Sequence, residues 1–137
     1  MHKKLLIERY FKARATSDLH TFQELFAPDI EIYNAHFPVF KGMEGVKDYC
    51  NDFQQRISHC TFEIIDILQE EHKAMVEWIA QLTYKKGATV AGFVVTRPFT
   101  VELRGINRFD FADDKIRCLR IYHETTTVMN LVKEHAQ

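Results

Sequence analysis

The two strands predicted over residues 101–124 constrain the fold of this chain more than any other segment. In the first, VELRGINRFDF, apolar residues alternate with polar and charged ones, which is the period of a strand with one buried face. Asn107 interrupts the apolar positions of this strand. In the second, IRCLRIYHE, His123 has the same parity as Leu119 and Ile121. One polar residue among the hydrophobic residues of each face predicts a lined cavity rather than a plain core.

The register of this hairpin decides whether Asn107 and His123 face the same cavity. They share it only if the connecting loop has an odd number of residues, and the alternation of the two strands favours that register. A β-bulge in either strand would move one of the two side chains to the opposite face.

The bulk composition argues against several classes of function. The 137 residues are expected to form one domain with a buried core, and eleven Phe suit a large apolar interior or pocket. The net charge of −1 gives nucleic-acid binding no support, and no apolar stretch approaches the roughly 20 residues of a membrane helix. The first apolar run is too short for a signal peptide, and the three cysteines lack CxxC spacing. We expect a cytoplasmic protein with reduced thiols and no nucleic-acid or membrane partner.

The predicted order of elements is helix, helix, strand, helix, a run of antiparallel strands and a short helix. The first helix (2–15) is predicted to bury Leu5, Leu6, Tyr10 and Ala13. The other predicted elements are helices at 18–26, at 43–57 and from 125 onward, and strands at 29–34, 61–71, 74–84 and 88–96 before the final pair. Helices followed by strands favour an α+β fold. A curled antiparallel sheet packed on three N-terminal helices leaves an interior that can bind a small molecule.

This order resembles the cone-shaped α+β fold of the nuclear transport factor 2-like superfamily. RYFKARATSDLHTFQELFAPDIEIYN (9–34) resembles the opening of the ketosteroid isomerases, and RGINRFDFADDKIRCLRIYHETTTVMNLV (104–132) resembles the SnoaL-like branch. The resemblance implies a single SnoaL-like domain over residues 1–137 and a homodimer. It does not fix the function, because the superfamily holds enzymes, binding domains and adaptors.

Residue by residue, the resemblance to the isomerases holds at Tyr10 and fails at two carboxylates. Tyr10 falls where that family has its oxyanion-donating tyrosine, Asn34 where it has its Asp base, and Asn107 near its second, protonated Asp. An amide donates a hydrogen bond as a neutral carboxylic acid does, so Asn107 can still support an oxyanion. Asn34 cannot accept a proton at any useful pH. The resemblance therefore does not predict the steroid-isomerase reaction itself.

The best available proton carrier is His123, because an imidazole is the natural base where carboxylates are missing. Tyr10 and Asn107 are then predicted to hold the developing oxyanion. Each of the three residues also has a plainer interpretation. Tyr10 can be a core tyrosine, Asn107 a core amide with hydrogen-bond partners, and His123 a half-buried structural histidine. The remaining residues predicted to contact a ligand are Asn34, His36, Trp78, Leu119 and Ile121.

Two further surfaces are predicted from the same strands. Glu124 is expected to cap the last helix or to pair with Arg120. The outer face of the strand pair, with its mixed polar and aromatic side chains, fits a homodimer interface; it carries Arg104, Ile106, Arg108, Arg120 and Tyr122.

Three functions remain open from the sequence. The first is a small-molecule enzyme of the isomerase, cyclase or dehydratase type. It would use no metal and no organic cofactor, since the seven histidines are scattered and no glycine-rich phosphate loop occurs. The second is a non-catalytic pocket for an apolar or weakly polar metabolite. The third is a dimeric interaction module whose cavity is small or filled by Phe side chains.

Overall fold

The computed structural model describes residues 2–35 and 37–136 as an α+β fold, which confirms the predicted fold class. The described elements, in chain order, are α1 (Lys3–Thr16), α2 (Leu19–Leu25), β1 (Phe26–Asn34), β2 (Phe40–Lys41), α3 (Gly42–Arg56), β3 (Ile57–Gln69), β4 (Lys73–Tyr84), β5 (Thr89–Val90), β6 (Phe93–Val94), β7 (Phe99–Ala112), β8 (Lys115–His123) and α4 (Thr126–Glu134).

Six strands form one curled sheet in the order β2-β1-β8-β7-β4-β3. Its neighbours are antiparallel except β1 and β8, which run parallel, so the sheet is mixed rather than wholly antiparallel as predicted. The segment predicted as a strand at 88–96 is instead the short hairpin β5-β6. It breaks at Ala91 and Gly92, which both have positive φ (48° and 84°) and so cannot continue a strand.

Helix α1 buries Tyr10 and Ala13 as predicted and Leu6 in part, but the prediction for Leu5 is wrong. Its buried residues include Ile7, Tyr10, Phe11 and Arg14, at the spacing i, i+3, i+4, i+7 of one helical stripe. Leu5, predicted to be buried, is 55% exposed. The stripe packs in one core with the inward residues of α3 and the sheet, and Arg14 is its single charged member.

Side chains accept free backbone N–H groups at the starts of α2 and α4, and Glu124 does so as the sequence suggested. Asp18 accepts a hydrogen bond from the Thr21 N–H (3.1 Å) at the start of α2. Glu124 accepts one from the Thr127 N–H (2.8 Å) at the start of α4, and this bond lowers the pKa of its carboxyl. Arg120 pairs with Asp110 (3.1 Å) rather than with Glu124.

The β7-β8 hairpin has a two-residue turn and a bulge. Asp113 and Asp114 form the turn, both with positive φ (50° and 60°). Ala112 pairs with Lys115, and beyond Phe111 and Ile116 the register shifts by one residue, which leaves Arg117 as the extra residue of β8.

This bulge sets which side chains face inward. The turn has an even residue count, so on its own it would place Asn107 and His123 on opposite faces. After the bulge, Asn107 pairs with Ile121 and Gly105 with His123, and both polar side chains face the same side. The predicted common face is confirmed, but a bulge produces it rather than an odd loop.

In the described part of the chain, no helix has the length and apolar character needed to cross a membrane.

Candidate functional site

A cavity lies between α1, α3 and the inner face of the sheet, and is called the cone cavity below. Including its open mouth, it holds about 790 Å³ of empty space, and the centre of a water molecule can reach about 90 Å³ of it. That is several times the roughly 10–15 Å³ needed for one water on this measure. The lining is mainly aromatic and aliphatic, and it comprises Tyr10, Phe11, Arg14, Asn34, Phe37, Phe53, Arg56, Phe62, Trp78, Ala80, Leu82, Tyr84, Val90, Leu103, Asn107, Ile121, His123, Thr125, Val128 and Met129.

A buried chain of polar groups connects the sheet to the helices at this cavity. Trp78 Nε1 donates to Asn107 Oδ1 (2.9 Å), and the nearby Asn107 amide acts to lower the pKa of the Tyr10 phenol. The Tyr10 and Tyr49 hydroxyls share a bond of 2.7 Å in which either can be the donor. Since buried polar groups are costly without partners, this network fixes the positions of all four side chains.

The surroundings of Tyr10 keep its hydroxyl protonated. Burial raises the pKa of the Tyr10 phenol well above its usual value, and the neighbouring Tyr49 adds to the rise. Arg14 and the Asn107 amide act in the opposite direction and are outweighed. Burial also raises the pKa of Tyr49. The pair can therefore donate hydrogen bonds near neutral pH but cannot act as a base.

His123 lies at the end of β8, half-buried, and lines the cone cavity. Its Nδ1 is 3.3 Å from the Glu124 carbonyl oxygen. Gly105 stands opposite it on β7, and a glycine on an inner face can leave room for a ligand. The room is in fact taken by Trp78, because a Cβ added to Gly105 would lie 2.2 Å from the indole ring.

The other predicted contact residues are only partly brought together. Asn34, Trp78 and Ile121 line the cone cavity. Leu119 is fully buried outside the lining, where it pairs with Phe109 beneath the contact between the Phe109 and Tyr10 rings (5.3 Å). His36 lies outside the described residues.

Two arginines in the lining were missed by the sequence interpretation. Arg14 is 6% exposed, and its guanidinium lies between the rings of Tyr49 (3.9 Å) and Phe53 (3.7 Å). Its Nη1 has no hydrogen-bond partner among the described residues. The signal for it was its position seven residues after Ile7 on the buried stripe of α1.

Arg56 is the second of these arginines and differs from Arg14 in having a counter-ion. Its Nη2 contacts Asp52 Oδ2 at 2.8 Å, one turn earlier on α3. The side chain also lies over the Phe37 ring (5.1 Å), and its Nε has no hydrogen-bond partner among the described residues. Of the two guanidinium charges that line the cone cavity, that of Arg56 is balanced within the protein.

The described lining contains no aspartate or glutamate. Among residues 2–35 and 37–136, no three or more His, Cys, Asp or Glu side chains are grouped closely enough to hold a metal ion. The groups available for chemistry are therefore one imidazole, phenol and amide donors, and two guanidinium groups.

Solved structures show the same fold at low sequence identity. A proposed SnoaL-like polyketide cyclase of Jannaschia sp. CCS1 is 15% identical and superposes with a TM-score of 0.78, covering 93% of this chain and 88% of that one. IdmH, a proposed polyketide cyclase of Streptomyces antibioticus, is 21% identical with a TM-score of 0.73, covering 97% and 99%. An LEH-like epoxide hydrolase of M. tuberculosis is 16% identical with a TM-score of 0.70, covering 95% of this chain and 88% of that one.

No curated protein sequence matches the chain significantly. The model of the SnoaL-like domain family matches residues 7–119, which is most of the sequence. The chain is thus a member of the SnoaL-like domain family, within the superfamily that its sequence resembles.

Proposed function

We propose that this chain binds a small, largely apolar organic molecule in the cone cavity and moves a proton on it, in a reaction of the isomerase, cyclase or dehydratase type. The observation that carries the proposal is the position of His123 in a mainly apolar cavity that is also lined by Tyr10 and Asn107, which are held by hydrogen bonds to Tyr49 and Trp78. The proposed cyclase activity of two structurally similar proteins is consistent with it.

The proton would move through His123. Its neutral imidazole would remove a proton from a carbon next to a ligand carbonyl, which leaves an enolate and an imidazolium. In an isomerisation the imidazolium returns the proton to another carbon. In a cyclisation the enolate carbon attacks a second carbonyl, and the imidazolium protonates the resulting alkoxide. In both cases the histidine ends neutral.

The enolate oxygen would be held by Tyr10 and Asn107. When the Tyr49 hydroxyl donates to the Tyr10 oxygen, the Tyr10 hydroxyl proton is free to bond the ligand. Because Tyr10 then accepts a hydrogen bond, its own O–H becomes a stronger donor. The Asn107 amide has two N–H donors, and its oxygen is already held by Trp78. Donors fixed before the reaction are the arrangement that stabilises a developing oxyanion.

Proton transfer can be measured on a neutral apolar ketone. Decan-2-one is incubated with the protein in D₂O, exchange of its α-hydrogens is followed by NMR, and binding is followed by fluorescence of Trp78, the single tryptophan. We expect His123→Ala to bind the ketone as the wild type does and to lose most of the exchange activity, since general acid–base catalysis contributes about 10²–10⁴-fold.

The matched control is His20→Ala, which removes an exposed histidine outside the described lining. Equal losses of binding and exchange in His123→Ala would argue against proton transfer by His123. No exchange by the wild type, with binding retained, would leave the second function, a non-catalytic binding pocket. That function is favoured by one observation: Tyr10 already has Tyr49 as a hydrogen-bond partner, and Asn107 has Trp78, without a ligand.

The outer sheet face supports the further proposal of a homodimer. Ile106 and Tyr122 form a cross-strand pair there, and both side chains are exposed, as is Met75 on β4. Arg104 and Arg108 flank Ile106 along β7. Exposed apolar side chains rimmed by charges are typical of a protein interface.

A further inference from the structure

Arg14 carries a buried positive charge without a protein counter-ion. A guanidinium stays protonated at any physiological pH. No ion pair among the described residues includes Arg14, although nine-tenths of its surface is buried. Burying a charge is unfavourable unless it is paired and hydrogen-bonded, so this side chain needs a partner that the described protein does not supply.

Two aromatic rings lie against the guanidinium of Arg14. The rings of Tyr49 and Phe53 cover the guanidinium at 3.9 Å and 3.7 Å from their centroids. These contacts stabilise the cation and hold it in place, but they accept none of its N–H groups. The unpartnered Nη1 therefore needs an acceptor other than these rings.

The cone cavity is where such an acceptor can lie. Arg14 lines it together with Arg56, whose buried Nε also has no hydrogen-bond partner among the described residues. Asp52 balances the charge of Arg56, and the described lining holds no acidic residue, so one positive charge remains uncompensated.

We propose that the ligand of the cone cavity is an organic acid, with an apolar body and a carboxylate that accepts hydrogen bonds from Arg14. The fork of the guanidinium matches the two oxygens of a carboxylate better than it matches one carbonyl or hydroxyl oxygen. This inference rests on the proposed binding function and replaces the weakly polar metabolite expected from the sequence with an acid. Tyr10 lies one turn before Arg14 on the same face of α1, with Cβ atoms about 5–6 Å apart, so one ligand can contact both side chains.

The test compares acids with their neutral amides. Cyclohexanecarboxylate and cyclohexanecarboxamide, and decanoate and decanamide, are titrated against the whole protein while Trp78 fluorescence is recorded. The wild type should prefer each acid by about tenfold or more, the effect of a charge-assisted hydrogen bond in a buried site. Arg14→Met should bind acid and amide alike.

Arg9→Met is the matched control, because it removes the same charge from the same helix at an exposed position paired with Glu24. It should keep the preference for acids. Thermal unfolding of the unliganded variants gives a separate readout: Arg14→Met should melt no lower than the wild type, since an apolar side chain replaces an unpaired buried charge.

The comparison within the wild type decides the inference even if Arg14→Met does not fold. Equal affinity of the wild type for acids and amides would overturn the acid ligand and leave the proposed binding function standing. A preference that persists in Arg14→Met would overturn the role of Arg14. Binding of neither acid nor amide would count against the proposed binding function itself.

Discussion

Replacing Gly105 by alanine tests how tightly the inner face of the sheet is packed around Trp78. A Cβ at this position would lie 2.2 Å from Trp78 Cζ2 and 2.7 Å from two further ring atoms, where ordinary contact begins near 3.4 Å. The indole is a rigid, buried group and cannot yield by the few tenths of an ångström that a tight contact needs. It would have to leave its place, which breaks its 2.9 Å bond to Asn107.

The expected cost follows from these contacts. Overpacking costs about 1–3 kcal/mol. Leaving the buried Asn107 oxygen without a donor costs about 1–3 kcal/mol more. The lower flexibility of alanine in the unfolded chain returns about 0.5–1 kcal/mol. We therefore expect Gly105→Ala to lower the free energy of unfolding by about 3 kcal/mol, which a domain of ordinary stability survives.

The measurement is urea denaturation followed by far-UV circular dichroism, in the wild-type and Trp78→Leu backgrounds. If the indole is the obstacle, Gly105→Ala should cost less than about 1 kcal/mol once the ring is gone, a coupling of about 2 kcal/mol between the two positions. The reasoning is refuted if alanine costs the same in both backgrounds, within about 0.5 kcal/mol.

Four further outcomes are expected. Tyr49→Phe should lower the free energy of unfolding in urea by about 1–2 kcal/mol, because Tyr10 loses a buried hydrogen-bond partner. Tyr33→Phe, at the sheet surface, is the control and should change this free energy by less than about 0.5 kcal/mol. Equal effects of the two substitutions would contradict the buried hydrogen bond between Tyr10 and Tyr49. Burial raises the pKa values of Tyr10 and Tyr49, so the stability they provide is complete below the unfolded tyrosine pKa of about 10 and is lost as the pH rises through the folded values. Thermal unfolding across this pH range should show the loss of stability in the wild type and a smaller loss in a Tyr10→Phe/Tyr49→Phe variant. A wild-type stability that does not change with pH would count against the prediction. The hydrogen bond from the Thr127 N–H lowers the pKa of Glu124, so the carboxylate stabilises α4 above the unfolded Glu pKa of about 4.3, and this stabilisation is lost as the pH falls through the folded value. Amide hydrogen exchange of residues 126–134 should be faster in Glu124→Gln than in the wild type near neutral pH, and the two rates should converge in acid. A difference in exchange that is constant with pH would exclude the charge of Glu124 as its cause. The molar mass from light scattering should be that of a dimer for the wild type and that of a monomer for Tyr122→Glu. Leu5→Glu, at an equally exposed position on α1, should remain a dimer. A monomeric wild type would exclude the proposed interface.

Periodicity predicted the parts of the fold that depend on neighbouring residues. The alternation in β7 and β8 identified the inward faces, and the helical spacing of Val46, Tyr49 and Phe53 marks the buried face of α3. The parallel pairing of β1 with β8 could not be predicted in this way, because it joins segments more than eighty residues apart in the sequence. Nor could the break of the 88–96 segment, which depends on positive φ at two small residues.

The candidate site was predicted in part for the same reason. Asn107 and His123 were visible as polar interruptions of apolar strands, and both line the cone cavity. Arg14 escaped because hydrophobic patterns count an arginine as exposed, although its spacing from Ile7 and Tyr10 puts it on the buried stripe. A charged residue at a core position is a conflict between local preference and fold, and such conflicts often mark functional sites.

The extra residue at Arg117 gives the β7-β8 hairpin an unusual sensitivity to register. Removing Arg117 would let β8 pair without a bulge and would leave Asn107 opposite Ile121 and Gly105 opposite His123. A slip of β8 by one residue at unchanged length would instead turn Ile121 and His123 outward and bring Arg120 and Tyr122 into the cavity. The cavity therefore keeps its imidazole when the hairpin is shortened at the bulge, and loses it when the bulge is lost at full length.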